Sequence, residues 1–352
     1  MANRLNNIRN FGQKIWLDNI SRELLQSNSL IKLITEDGVS GITSNPTIFH
    51  KAITSDKSYQ KDIQKVKKEF INSDDRFEEL VISDIKTACD IFYPIYRESN
   101  RDDGYVSFEV SPFLAYNYEK TVEQAIKLWK RINKPNLMIK VPATKEGIKA
   151  LTEITKEGIN VNITLIFSLD QVVNVWNAYI KGLEMRLKDG NSIEHVKAVA
   201  SFFLSRIDNL IDNKLPENLQ GKTAINLAKV AYLIYQETFS SAIFNKLKSY
   251  GAHPQYLLWA STGTKNPNYS DVMYVEELIG METINTIPNE TLLAFKNHGN
   301  ASNSLTKNIG TAPKILEQIK NIINLEEVGN KLQQDGLLMF QDSYQKLLNI
   351  VE

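Results

Sequence analysis

The chain has 352 residues, and 41 basic side chains are matched by 41 acidic ones, with four His and one Cys. Zero formal charge excludes a general polyanion binder, which carries a basic excess or stripe. The lone cysteine, Cys89, excludes an intramolecular disulfide and a cysteine-based metal cluster.

The composition, 42% hydrophobic and 23% charged, suits a globule with a large core. The few His are not paired at ligand spacing, so no zinc site is expected. No run approaches the ~18 apolar residues of a membrane span. Met1–Lys14 lacks the apolar stretch of a secretory leader. The expectation is a cytoplasmic protein with no nucleic-acid or membrane partner.

Along the chain, short β-rich runs alternate with stretches of helical spacing. The runs are Lys14–Asp18, Val39–Thr43, Tyr105–Val110, Leu137–Val141, Val161–Phe167, Val196–Phe203, Tyr256–Ala260 and Thr283–Ile287. Helical periodicity marks Ile20–Glu36, Thr121–Ile132, Gln171–Leu187 and Thr223–Tyr250. From His50 to Asn100 the sequence reads as lysine- and glutamate-rich helices forming a solvated outer layer. Such alternation predicts βαβ units and a parallel sheet. Eight strands fit a (β/α)8 barrel, and an open doubly wound sheet fits the pattern as well. No GxGxxG follows the first strand and no GxxxxGK[ST] occurs, so neither nucleotide fingerprint supports the open sheet.

The strand ends are polar where cores are usually apolar. In Leu137–Pro142, alternation puts Met138, Lys140 and Pro142 on one face. If that face looks into a barrel, the Lys140 ammonium is costly to desolvate, and the neutral amine is the form a Schiff-base nucleophile uses. The plain alternative is a lysine that reaches the rim or pairs with a carboxylate. Asp18 and Glu109 come late in their strands, while Asn162 and Thr164 share a face of theirs. Each has an ordinary reading as well: Asp18 as a helix cap, Glu109 as an ion-pair partner, Asn162 as a backbone ligand, Ser201 as a small core residue. Together they bring an amine, two carboxylates and several hydroxyl or amide groups to one rim, the equipment of carbonyl chemistry with acid–base help. Arg206 and Lys265 follow two later strands and could meet a phosphate, as could the small-residue loop Ser261–Thr264. The ordinary fate of both cations is solvated surface.

Long composite motifs carry a resemblance. Asp37–Phe49 (DGVSGITSNPTIF), Leu137–Ile148 (LMIKVPATKEGI) and Gly158–Ser168 (GINVNITLIFS) resemble, in order and spacing, signature segments of the transaldolases. Trp259–Pro267 (WASTGTKNP) and the segment from Gly336 to Phe340 onward resemble the longer, roughly 350-residue branch of that family.

The resemblance implies one domain over residues 1–352, a (β/α)8 TIM barrel of class I aldolase type. It would carry extra helices, including a C-terminal one. It implies Schiff-base transfer of a dihydroxyacetone unit from fructose 6-phosphate or sedoheptulose 7-phosphate to erythrose 4-phosphate or glyceraldehyde 3-phosphate, in the non-oxidative pentose phosphate pathway. No metal and no organic cofactor is implied, and a homodimer is compatible with it. Carried over by motif, Lys140 forms the Schiff base at C2, and Asp18 exchanges the C4 hydroxyl proton. Glu109, with Thr164, acts through a water. Asn45 and Asn162 hydrogen-bond the dihydroxyacetone hydroxyls. Ser201, Arg206, Ser261 and Lys265 bind substrate, the two cations serving the phosphate. Fructose 6-phosphate aldolases of the same superfamily are much shorter and lack a glutamate at the Glu109 position. A catalytically silent barrel would have lost Lys140, Asp18 or Glu109.

Overall fold

The computed structural model describes residues 3–352. Its strands are β1 Gln13–Leu17, β2 Val39–Thr43, β3 Val106–Glu109, β4 Leu137–Pro142, β5 Val161–Ile166, β6 Ala198–Phe203, β7 Tyr256–Ala260 and β8 Thr283–Ile287. They are parallel and neighbour one another in chain order, and β1 pairs with β8 to close the ring. An open sheet would leave two edges; here the first strand meets the last, so the barrel is the answer. Helices cover the outside, which explains why these strands read as Val, Ile and Leu runs rather than clean alternation.

Register decides what the barrel presents inward. Glu109 on β3 pairs with Lys140 on β4, and Lys140 pairs with Asn162 on β5. Paired residues of neighbouring strands point to the same side, so these three polar side chains form one row. After Thr164, Leu165 takes a left-handed backbone (φ 61°) at an irregularity in the β5–β6 register. This bulge re-aims the end of β5, as bulges beside active sites commonly do.

The opposite end of the barrel is closed by ions. Asp102 accepts from Lys14 at 2.6 Å and from Lys197 at 2.7 Å. Both ammonium groups lie over the Tyr256 ring, at 4.3 and 3.9 Å from its centre. The two lysines hold the Asp102 carboxyl down at about 2 against its burial. Burial draws Lys197 down to about 8. Above this layer, Gly41 makes room for the Trp16 indole, because a Cβ there would sit 2.6 Å from its Nε1. That nitrogen donates to Asp103.

Three helical expectations change. Ile20–Glu36 is two helices, Arg22–Gln26 and Ser29–Thr35. Ser27 leaves helical backbone, and its hydroxyl accepts from Ser29 N–H, the local bonding by which serine competes with helix. Thr223–Tyr250 likewise divides into Thr223–Phe239 and Ala242–Lys248, with Ser241 capping the second. The stretch from His50 to Asn100 is more than a solvated layer. Helix Ser73–Glu98 buries Phe77, Leu80, Val81, Ile85, Ala88 and Phe92 along one face. Counting charge over the whole segment hides that stripe. Under it, Arg22 pairs with Asp84 at 3.0 Å, stacks 4.1 Å from the Tyr59 ring, and shares Asp84 with the Tyr59 hydroxyl.

The C-terminal helix, Leu325–Val351, is capped by Asn324. It packs on helices Pro46–Ser55 and Ser73–Glu98, the turn Pro112–Leu114, β5 and helix Ser205–Ile211. Most of these elements lie just beyond the carboxyl ends of strands, so the helix crosses that mouth of the barrel.

Candidate active site

A cavity of about 180 Å³ opens at the carboxyl ends of the strands, where (β/α)8 enzymes keep their sites. Lys140 reaches its floor from β4, and its side chain is almost fully buried. The amine donates to the Ser44 carbonyl at 2.9 Å, and a Glu109 oxygen lies 3.6 Å away. Asp18 follows β1 directly and enters from the other side. Its carboxylate accepts from the Thr43 hydroxyl at 2.8 Å, and that hydroxyl contacts Thr286 at 2.6 Å.

The two carboxyls sit in different surroundings. Neither oxygen of Glu109 has a hydrogen-bond partner among the described residues. Burial pushes Glu109 from the ordinary 4.5 up to about 7, against the pull of Lys140 and with help from Asp18. Burial also raises Asp18, opposed by Lys140, the Thr43 hydroxyl and Arg206. A group poised near 7 can donate and accept protons at neutral pH, while a carboxylate fixed by a hydroxyl is an oriented base.

Of the residues expected at the site, Asp18, Asn45, Lys140, Thr164, Ser201, Arg206, Ser261 and Lys265 line the cavity together. Asn45 caps helix Pro46–Ser55 through its carbonyl oxygen, which leaves its amide N–H₂ to donate. The Thr164 hydroxyl is buried and has no partner among the described residues, so it can serve a bound molecule. Ser261 stands in left-handed backbone (φ 53°), and its hydroxyl meets that of Ser205 at 3.0 Å. Arg206 is partly buried and Lys265 exposed, at one side of the opening. Burial lowers the Arg206 guanidinium and Asp18 supports it.

Two expected residues stand back from the opening. Glu109 is behind Lys140, beside a narrow gap bounded by Phe49, Phe77 and Tyr344. Asn162 lies in the layer beneath, donating to Ser107 at 3.0 Å and accepting from Ser201 at 2.7 Å. It orients Ser201 in this state.

Several lining residues escaped the sequence reading: Thr43, Phe203, Thr286 and Phe340. Thr43 could have been found, since it alternates with Gly41 on the inward face of β2. Phe340 carries no local signal, because it reaches the cavity from a distant helix. Among the described residues no group of three or more His, Cys, Asp or Glu is placed to hold a metal, and no helix is long and apolar enough to cross a membrane.

The family model described as Transaldolase/Fructose-6-phosphate aldolase matches residues 15–351. A transaldolase of Thiobacillus denitrificans is 45% identical over 349 residues, covering 97% of both chains. One of Neisseria gonorrhoeae is 43% identical, covering 98% of both. One of Trichodesmium erythraeum is 43% identical, covering all of this chain and 97% of the other.

Proposed function

The chain belongs to the transaldolase/fructose-6-phosphate aldolase family and its activity is that of a transaldolase, a transferase; we propose that Lys140, Asp18 and Glu109 carry out its chemistry. One observation supports this most: the buried Lys140 amine lines a cavity with the Asp18 carboxyl and has Glu109 3.6 Å behind it, two carboxyls of unlike environment. The neutral Lys140 amine attacks the C2 carbonyl of a ketose phosphate. Glu109, through a water held with Thr164, moves the protons that turn the carbinolamine into an iminium and release water. Asp18 takes the C4 hydroxyl proton as the C3–C4 bond breaks and the aldose phosphate leaves. The bonding pair passes into the iminium and gives an enamine. The acceptor aldehyde is then attacked by C3, Asp18 returns its proton, and water frees the new ketose from Lys140.

Asn45, Asn162, Ser201 and Ser261 hold the sugar hydroxyls, and Arg206 and Lys265 the phosphate, lysine acting as a point charge without arginine's fork. Donors are fructose 6-phosphate or sedoheptulose 7-phosphate, and acceptors erythrose 4-phosphate or glyceraldehyde 3-phosphate. We extend the reading to a cytoplasmic homodimer in which residues 1–352 form one domain.

The test is borohydride reduction in the presence of fructose 6-phosphate, followed by peptide mass spectrometry. A reduced three-carbon adduct on Lys140 is expected. A folded sample with no adduct, or an adduct on another lysine, overturns the assignment.

A further inference from the structure

The C-terminal helix does more than cover the barrel. Gln333, Gly336 and Phe340 are spaced so that they share one face of it. The Gln333 amide donates to the carbonyls of Ala143 and Leu165, at 2.8 and 3.0 Å. Gly336 lets the backbone lie close, because a Cβ there would come within 3.0 Å of Leu165 and 3.3 Å of the Arg206 guanidinium. Met339 sulfur is 3.9 Å from the same guanidinium. Beyond the cavity, Ser343 meets Thr47 and Tyr344 donates to Asp74. The helix is thus fastened on both sides of the opening.

Phe340 stands between these fastenings and is 2% exposed. Its ring centre is 5.9 Å from the Lys140 amine, within cation–π range of a charged nitrogen. Among the lining residues it comes from the C-terminal helix, whereas the others come from strands and the segments that follow them. The hydroxyls, amides, amine and carboxyls sit on the barrel side of the cavity. The ring supplies an apolar wall next to the reacting nitrogen.

Resting on the Schiff-base reading above, we propose that Phe340 is a specificity-determining residue: it sets whether the enamine passes its three carbons to an acceptor sugar or loses them to solvent. The competing route is chemically complete. C3 of the enamine takes a proton from water, a second water adds to C2, and dihydroxyacetone leaves the Lys140 amine. An aromatic wall beside the nitrogen keeps water from that route and leaves space for an acceptor aldehyde, which arrives from the Arg206 and Lys265 side.

The experiment compares Phe340→Ala, Phe340→Leu and the control Leu338→Ala, a change at a 63% exposed position of the same helix. Each is given fructose 6-phosphate with and without erythrose 4-phosphate. The readout is the ratio of free dihydroxyacetone to transferred product, with deuterium uptake at the former C3 in D₂O. For Phe340→Ala the ratio should rise at least about tenfold. Phe340→Leu keeps an apolar wall and should rise less, and Leu338→Ala should match the wild type. A ratio unchanged in both Phe340 variants, whatever happens to kcat, overturns the proposal and leaves Phe340 a packing residue. If Phe340→Ala does not fold, the leucine variant alone decides by the same ratio. If the wild type forms no borohydride adduct on Lys140, the mechanism itself fails, which is a different result from an unchanged ratio.

Discussion

Replacing Glu109 with glutamine should stabilise the protein while disabling it. Glutamine has nearly the same shape and cannot ionise. In the unfolded chain Glu109 ionises near 4.5, but in the folded chain burial holds it back to about 7. Folding therefore carries a penalty that grows as pH rises through this window and is complete above it. A separation of roughly 2.5 pH units corresponds to about 3 kcal/mol, and the opposing pull of Lys140 is already included in it. At pH 5, near the lower end of the window, the folded carboxyl is still protonated and little of the penalty has developed, so the variant and the wild type should differ by less than ~1 kcal/mol. At pH 8 the glutamine variant should be more stable by about 3 kcal/mol. Urea unfolding at the two pH values reads the difference, provided the slope with denaturant is unchanged. Transfer activity should fall by on the order of 100-fold, the usual scale for losing a positioned acid–base group. A stability difference that is the same at both pH values, or a variant less stable at pH 8, would refute the assignment of a desolvated carboxyl at this position.

Two further outcomes follow from charge and burial. Arg206→Ala and Lys265→Ala should each raise KM for phosphorylated substrates. A lost charge-assisted contact of ~1.5–3 kcal/mol lowers kcat/KM by roughly 10- to 100-fold. The partly buried arginine should cost more than the exposed lysine, and an unchanged KM in both variants would remove them from the phosphate site. Asp84→Ala removes the buried one of two carboxylates from the Arg22 guanidinium, leaving Asp62 at 2.6 Å, and should cost up to about 3 kcal/mol in thermal or urea unfolding. Because neither Arg22 nor Asp84 lines the cavity, activity per folded molecule should be unchanged; a fall in kcat would contradict that separation.

Period-two alternation made the reactive rim readable. Lys140 shares a face with Met138 and Pro142, and Asn162 with Thr164, so a two-residue rule groups the polar strand ends that barrel closure turns inward. The resemblance then implies what alternation cannot, which of these polar ends do chemistry. The choice between barrel and open sheet was not local at all, because it rests on Gln13–Leu17 finding Thr283–Ile287. Helix ends failed where serine competes with the helix for hydrogen bonds, at Ser27 and Ser241. The buried stripe of Ser73–Glu98 was masked by the charges on its other face. Asp102 and Lys197 are both conspicuous charges, yet nothing near either one in sequence shows that they neutralise each other. Phe340 was invisible as a site residue for the same reason: its relation to Lys140 exists only in three dimensions.

Barrel closure has a consequence for how the chain must be made. The side chains of Gln13 and Thr283 hydrogen-bond across 270 positions of sequence. A ribosome adds roughly 5–20 residues per second, so on the order of tens of seconds separate the emergence of β1 from that of β8. Throughout that interval one border of β1 offers unpaired N–H and C=O groups, the kind of template that recruits strands from other molecules. Lys14 sits on that strand, and its charge opposes such recruitment until Asp102, Lys197 and β8 have arrived. Lys14 thus carries a charge that disfavours such pairing in the nascent chain and ends in the ion cluster of the finished barrel.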